Sequence, residues 1–204
     1  ETPHEIAAVR SNGAPSDTPG WFARAIPNLR PVLQVEGDLG RKGVGMYDMM
    51  NSIGANEIII ETPEHNKRPE DMGFEQMVRI ASLYKSRIAD LEKDPRIRYI
   101  LVCKSKGSDA GAVYSHPYSQ IIATPVIPKK VKEELDGAKN YFAYKERCIF
   151  CDIMREELRY GKRVIMETKN FIAFCPYAQR FSFEFWIMPK RHSCAFQEIS
   201  GDET

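Results

Sequence analysis

Three groups of residues in this sequence have types and spacings that could do chemistry. The first is Cys148-Ile149-Phe150-Cys151, with His192 farther along. Two thiolates two residues apart can hold one Zn²⁺ tetrahedrally, with other Cys or His side chains completing the shell. His192 follows an apolar stretch and a proline turn, and is the candidate third ligand. A redox role would need a thioredoxin-like βαβ setting, which the flanking pattern does not supply. The plain alternative is a pair of buried thiols, a common fate of cysteine. Metal is the favoured reading of the three.

The second group is His116-Pro117-Tyr118-Ser119-Gln120, between the glycine-bearing stretch KGSDAG (106–111) and an apolar run. In extended backbone residues 116, 118 and 120 point to one side. His116 could then bind metal while Tyr118 and Gln120 face a ligand. The loop could present backbone N–H groups to phosphate, although one glycine-bearing loop is a weak signal. Without other context, a turn histidine and a strand-edge tyrosine are more often structural. The third group is a repeat: NEIIIETPEH (56–65) and FEFWIMPKRH (183–192) share Glu second, an apolar middle, a proline near the end and His last.

These groups need elements to position them. A short strand is expected over Phe22–Ile26, and a second over Glu57–Glu61 leading into Thr62-Pro63-Glu64-His65. Phe74, Met77, Ile80, Ala81, Tyr84, Ile88 and Leu91 recur at steps of three and four. They predict an amphipathic helix within Glu70–Asp94, stopped by Asp94-Pro95. Ile97–Cys103 reads as a buried strand, followed by a strand through Gln120–Ala123 and a helix over about Pro128–Tyr144. After Cys148 a helix (Asp152–Tyr160) and strands at Val164–Glu167, Phe171–Phe174 and Glu184–Met188 are expected. Short strands that can pair as hairpins, alternating with helices, predict an α+β fold.

Composition narrows the function classes. With 204 residues, 43% hydrophobic and 28% charged, the chain is long and apolar enough to bury a core, which excludes a disordered protein. A formal net charge of +1 argues against a nucleic-acid surface. No apolar run approaches the roughly 20 residues of a membrane span. Five cysteines, an odd set in a chain this long, do not read as a disulfide framework, so a cytoplasmic setting is expected.

The stretch CKSKGSDAGAVYSHPYSQIIATPVIP, with ANEIIIETPEH before it and FEFWIMPKRH after it, resembles the galactose-1-phosphate uridylyltransferase family. This is the tandem-repeat branch of the histidine-triad superfamily. The resemblance runs from ARAIPNLRPVL to His192. It implies two histidine-triad-like halves, antiparallel sheets with flanking helices, divided as 1–145 and 146–204, with the chain truncated at both ends. It implies a nucleotidyltransferase acting on a UDP-sugar and a hexose 1-phosphate, with zinc, and a homodimer; Trp186 could serve that interface, with a core role weighing at least as much.

By the same resemblance His65 and His116 match two ligands of one zinc site, whose Cys pair has no counterpart before Cys103. Cys148, Cys151 and His192 match a second zinc site. Glu134 is a weaker match to a metal-ligating glutamate. Asn28 corresponds to a nucleotide contact and Gln120 to a phosphate contact. The family nucleophile is the second His of His-Pro-His-x-Gln, which attacks the α-phosphorus of UDP-glucose and later passes UMP to galactose 1-phosphate. Here that position is Tyr118, and a phenol keeps its proton near neutral pH far more firmly than an imidazole. The family's nucleotide-site Asn and Ser are Ser105 and Val113 in this chain, and the valine side chain offers no hydrogen bond. The resemblance therefore implies either transfer with Tyr118 as nucleophile or phosphate-orienting group, or a silent relative that binds nucleotide without covalent transfer.

Overall fold

The computed structural model describes residues 3–11 and 14–200. They form two compact units, one running to Ile127 and the other beginning at Pro128.

The first unit is built on five strands: β1 (Ala7–Arg10), β2 (Trp21–Pro27), β5 (Ala55–Ile60), β6 (Tyr99–Cys103) and β7 (Tyr118–Thr124). They lie in the order β1-β2-β5-β7-β6, with every neighbouring pair antiparallel. Two further short strands, β3 (Lys42–Val44) and β4 (Tyr47–Met49), make an exposed hairpin around Gly45. The alternation of side chains divides the central strands into two faces. Ala23, Ala25, Ile59 and Ile121 turn to one face, where Ile80 and Leu83 of helix α1 (Phe74–Leu91) close over them. Ile26, Ile58, Ile60 and Tyr118 cluster on the opposite face.

Glu57 and Glu61 share the parity of Ile59 along this strand and its exit, so both meet α1. Glu57 accepts two hydrogen bonds of 2.8 Å from the buried guanidinium of Arg87. Gly54 opens β5 at φ 152°, and a Cβ there would stand 2.2 Å from the carbonyl oxygen of Ala123 on β7. Only glycine permits that approach of the two central strands.

Two expectations change at the edges. Ile97–Cys103 does not form a buried strand: β6 is the last strand of its sheet, and Leu101 is 39% exposed. The expected helical stripe is only partly inward, since Phe74 and Met77 are exposed and the buried set is Ile80, Leu83, Arg87 and Ile88. A 3₁₀ turn at Pro69–Asp71 precedes the helix, so it begins at Phe74 rather than near Glu70. Strands β1, β3 and β4 lie before residue 50, where no alternating pattern announces them.

The second unit holds α2 (Lys129–Lys145), α3 (Ile149–Tyr160) and the antiparallel strands β8 (Val164–Glu167), β9 (Phe171–Phe174) and β10 (Trp186–Pro189), ordered β10-β9-β8. Met154, Ile172 and Phe174 form its core, with Trp186 edge-on to Phe174 at 5.9 Å. Gly161, at φ 72°, ends α3. The expected halves divide at 145/146, whereas packing divides the chain at 127/128. The reason is α2, whose Tyr141 hydroxyl donates to Asp152 of α3 at 2.8 Å.

The repeat seen in the sequence has a counterpart in register. Ile59 of NEIIIETPEH pairs with Ala25, two residues before Pro27; Trp186 of FEFWIMPKRH pairs with Phe174, two residues before Pro176. The architecture is α+β with antiparallel sheets, as expected. No helix among the described residues is long and apolar enough to cross a membrane.

Candidate functional site

Strand β5 ends at Ile60, and Thr62-Pro63-Glu64-His65 turns away from the sheet. The residues leading into β7, Ser115-His116-Pro117, run beside that turn, because β5 and β7 pair from Ile60↔Tyr118 inward. This brings His65 and His116 together from 51 positions apart, with Nδ1 facing Nδ1 at 3.1 Å. His116 Nε2–H donates to the Thr62 carbonyl at 2.7 Å, which fixes the tautomer and leaves Nδ1 with its lone pair. His65 Nε2 meets the Ser115 hydroxyl at 3.1 Å. Two nitrogens bound about 2.0–2.1 Å from one tetrahedral zinc sit about 3.3 Å apart. The pair therefore fits two ligands of one ion, with outer nitrogens already held in the way metal-binding histidines are held.

Tyr118 opens β7 with its ring buried, only 4% exposed, against Ile26, Ile58 and Ile60. Its hydroxyl accepts the backbone N–H of Val113 at 3.0 Å, and Tyr114 packs edge-on to its ring at 5.2 Å. The ring and the 113–116 segment stand between two cavities. One, of about 500 Å³, is lined by His65, Arg68, Lys104, Ser105, Lys106 and Tyr118 among others. The other, of about 480 Å³, is mostly apolar, with Trp21, Ile26, Leu29, Ile58 and Ile60 in its wall.

The cations of the first cavity already have partners. Lys106 contacts both oxygens of Glu70 at 3.1 Å, and Arg68 reaches Asp71 at 2.9 Å. The Glu70 carboxyl is held below its ordinary range by its own backbone N–H and then by Lys106.

The other expected contacts are placed differently. Gln120 follows two residues along β7 on the Tyr118 face, paired across to Ile58 and Cys103, and is not in either cavity wall. Asn28 is turned inward: its Nδ2 donates to Asn56 Oδ1 at 2.6 Å, and its Oδ1 accepts from Arg30 N–H at 3.1 Å. Ser105 lines the first cavity. Val113 enters through its backbone N–H, an atom on which the loss of a serine side chain has no bearing. Glu134 is an exposed residue of α2.

One cluster escaped the sequence reading. Glu61, 3% exposed, accepts hydrogen bonds from Tyr84 at 3.0 Å, from Ser119 and from the Lys104 ammonium. Tyr84 and Ser119 also meet at 2.6 Å, and burial, then the Glu61 carboxylate, pushes the Tyr84 phenol well up. The repeat drew attention to the NEIIIETPEH strand, but nothing in the sequence pairs Glu61 with residues 23, 43 and 58 positions away.

In the second unit Cys148 caps α3, Cys151 lies in its first turn and His192 follows β10. Their ligand atoms all lie within 4.8 Å of one another, with Cys151 Sγ to His192 Nδ1 at 3.1 Å. Tetrahedral zinc would separate such atoms by about 3.3–3.8 Å. The donor set and spacing fit a borderline-soft divalent ion. Burial, and then the neighbouring Cys148, push the Cys151 thiol up, so it favours a proton unless a cation replaces it.

Residues 27–128, half of the chain, match the model of the galactose-1-phosphate uridyl transferase N-terminal domain. The chain is 34% identical over 187 residues to the ADP-glucose phosphorylase of Arabidopsis thaliana, covering 91% of this chain and 52% of that protein. It is 29% identical over 162 residues to the galactose-1-phosphate uridylyltransferase of Thermotoga maritima, covering 79% and 50%. It thus spans about half the length of these curated relatives. Among solved structures, a uridylyltransferase mutant superposes with a TM-score of 0.85 at 28% identity, covering 94% of this chain and 62% of the other. The Arabidopsis thaliana ADP-glucose phosphorylase with bound ADP-glucose superposes with a TM-score of 0.82 at 32% identity, covering 98% and 59%. By the family-model match over half of its length, the chain belongs to the galactose-1-phosphate uridylyltransferase family.

Proposed function

We propose that the protein containing this chain transfers a nucleotidyl group between sugar 1-phosphates, from a UDP-sugar to a hexose 1-phosphate. The observation that carries this is the pair of cavities meeting at Tyr118. One carries Arg68 and Lys106, whose exposed carboxylate partners a phosphate can displace, and the other is apolar and suits a base. The adenine nucleotide-sugar named with one relative supports the ligand class; uridine follows the greater number of uridylyltransferase relatives.

Tyr118 is the wall between the two cavities and orients the phosphate rather than bonding to it. Its hydroxyl is committed to Val113 N–H, and no base among the hydrogen-bonded groups stands ready to take its proton. Transfer is then direct: an acceptor phosphate oxygen attacks the α-phosphorus, the bond to the departing sugar 1-phosphate breaks, and that phosphate keeps the electron pair. Ser105 is assigned to substrate from the wall of the first cavity, and Gln120 and Asn28, which line neither cavity, by the family resemblance alone, Asn28 after exchanging its bond to Asn56. Zinc is assigned to Cys148, Cys151 and His192 and to His65 with His116, where it would hold the turns in place. The 1–145 and 146–204 repeat halves, a cytoplasmic setting and homodimerisation complete the reading.

A silent, nucleotide-binding relative is the second reading, favoured by the same Tyr118–Val113 bond. Incubating the complete protein with UDP-glucose radiolabelled in its uridine or α-phosphate and resolving it on a denaturing gel tests the covalent route. No labelled protein is expected, with product formed in solution if transfer is direct and none if the protein is silent. A labelled band would refute both readings of Tyr118. Tyr118→His is expected to label if only the nucleophile is missing; without label, the altered positions 105 and 113 are responsible.

A further inference from the structure

The Glu61 cluster lies beneath the two-histidine turn and is not used by any step above. Its connections converge on one place. The Glu61 backbone N–H donates to the Pro117 carbonyl at 3.2 Å, joining the exit of β5 to the entrance of β7. The Gln76 side chain, from α1, donates to the Glu61 carbonyl at 2.6 Å and to the Phe22 carbonyl at 2.8 Å. The carboxylate takes Ser119 from β7, Tyr84 from α1 and Lys104 from just after β6. Lys104 Nζ in turn donates to the Tyr118 carbonyl at 3.3 Å. A single buried carboxylate therefore ties α1, β6 and β7 to the peptide that precedes Thr62, whose carbonyl holds His116 Nε2.

We infer that Glu61, acting through Lys104 and Ser119, is the positioning residue for the His116–Tyr118 segment. A carboxylate this buried is tolerated only with several donors around it. Here three donors come from three different elements, so their geometry is mutually determined. The consequence is local. Thr62 and Pro117 are held at fixed separation, His116 keeps its proton on Nε2, and Nδ1 stays aimed at His65. This deepens the reading of the His65–His116 pair as ligands. Lys104 is one wall residue of the cation-lined cavity, but its charge is taken up by Glu61, so its assigned work is to fix the Tyr118 backbone rather than to bind anion.

The test uses imidazole nitrogen NMR on these 204 residues, among which there are four histidines. In the wild type His116 is expected as a single tautomer protonated on Nε2. Lys104→Met and Ser119→Ala, each leaving Glu61 in place, are expected to lose that single signature and give exchange-averaged His116 signals, while His4 and His192 are unchanged. Lys104→Arg should restore it. Glu61→Gln, which keeps the shape but weakens all three contacts, is expected to behave like Lys104→Met. A merely structural cluster would lower the melting temperature of these variants while His116 kept its wild-type signature, and that outcome overturns the inference. So does a wild-type His116 protonated on Nδ1. A separate zinc titration of the wild type, followed at the His65 and His116 nitrogen signals and not at those of His192, reports on the ligand reading, so failure of either is visible without the other.

Discussion

Replacing Tyr118 by phenylalanine removes one oxygen and leaves the ring in place among Ile26, Ile58 and Ile60. The oxygen accepts one hydrogen bond, from Val113 N–H at 3.0 Å. An ordinary intramolecular hydrogen bond contributes about 1 kcal/mol net, and stranding a fully buried partner costs about 1–3 kcal/mol. Val113 is 75% exposed, so water can reach its freed N–H and the effect belongs at the low end of that range. The expected loss is about 1 kcal/mol, roughly a fivefold shift in the unfolding equilibrium. Urea unfolding followed by Trp21 fluorescence, in a Trp186→Phe background so that only the first unit reports, measures it. A loss above about 3 kcal/mol would mean that the hydroxyl is anchored in a buried network rather than by its single bond to Val113. The same variant separates the chemical readings. If Tyr118 orients without bonding, neither wild type nor Tyr118→Phe takes up label from UDP-glucose. Label present in the wild type and absent from the variant would establish the phenol as nucleophile and refute the reasoning.

Arg87→Met should destabilise the first unit by about 3–5 kcal/mol, because it leaves the Glu57 carboxylate buried without its bidentate partner; urea unfolding with Trp21 fluorescence checks this, and a loss under about 1 kcal/mol would contradict it. Cys151→Ser should abolish thiolate-to-metal charge-transfer absorption on adding Co²⁺, whereas Cys175→Ser should leave it intact, since only Cys151 shares a cluster with Cys148 and His192 among the described residues. The Glu184 carboxyl is held down to about 2, against an ordinary 4.5, first by the Arg180 side chain and then by the Arg180 backbone N–H. Its folded-state pKa is depressed, so its contribution to stability is complete above about pH 4.5 and is lost as pH falls through about 2. A carbon-detected carboxyl titration that placed its midpoint near 4.5 would show the Arg180 contact to be absent in solution.

Local pattern in the sequence was enough for the elements whose periodicity is strong. Helix α1, strands β8 and β9 and the α+β class follow from apolar spacing, and Cys148, Cys151 and His192 follow from ligand type, because a Cys-x-x-Cys pair brings its own geometry on one turn of helix. The family could also be read from ordered motifs. What the sequence could not carry were quantities set by pairing across the chain. That His65 and His116 meet was implied by the family resemblance and by nothing in their spacing; it depends on the Ile60↔Tyr118 register of β5 and β7, and a slip of one residue would turn Tyr118 to the helix face. The exposure of β6 depends on its place at the sheet edge, and the inward turn of Asn28 depends on Asn56 standing beside it. Glu61 is the sharpest case. In sequence it is the polar end of an apolar strand; in the fold it is a buried carboxylate whose donors come from three elements. Residue types determined what chemistry was available, and the tertiary structure decided which groups share a site, because hydrogen bonds and coordination act over about 3 Å while the chain brings partners from 50 positions apart.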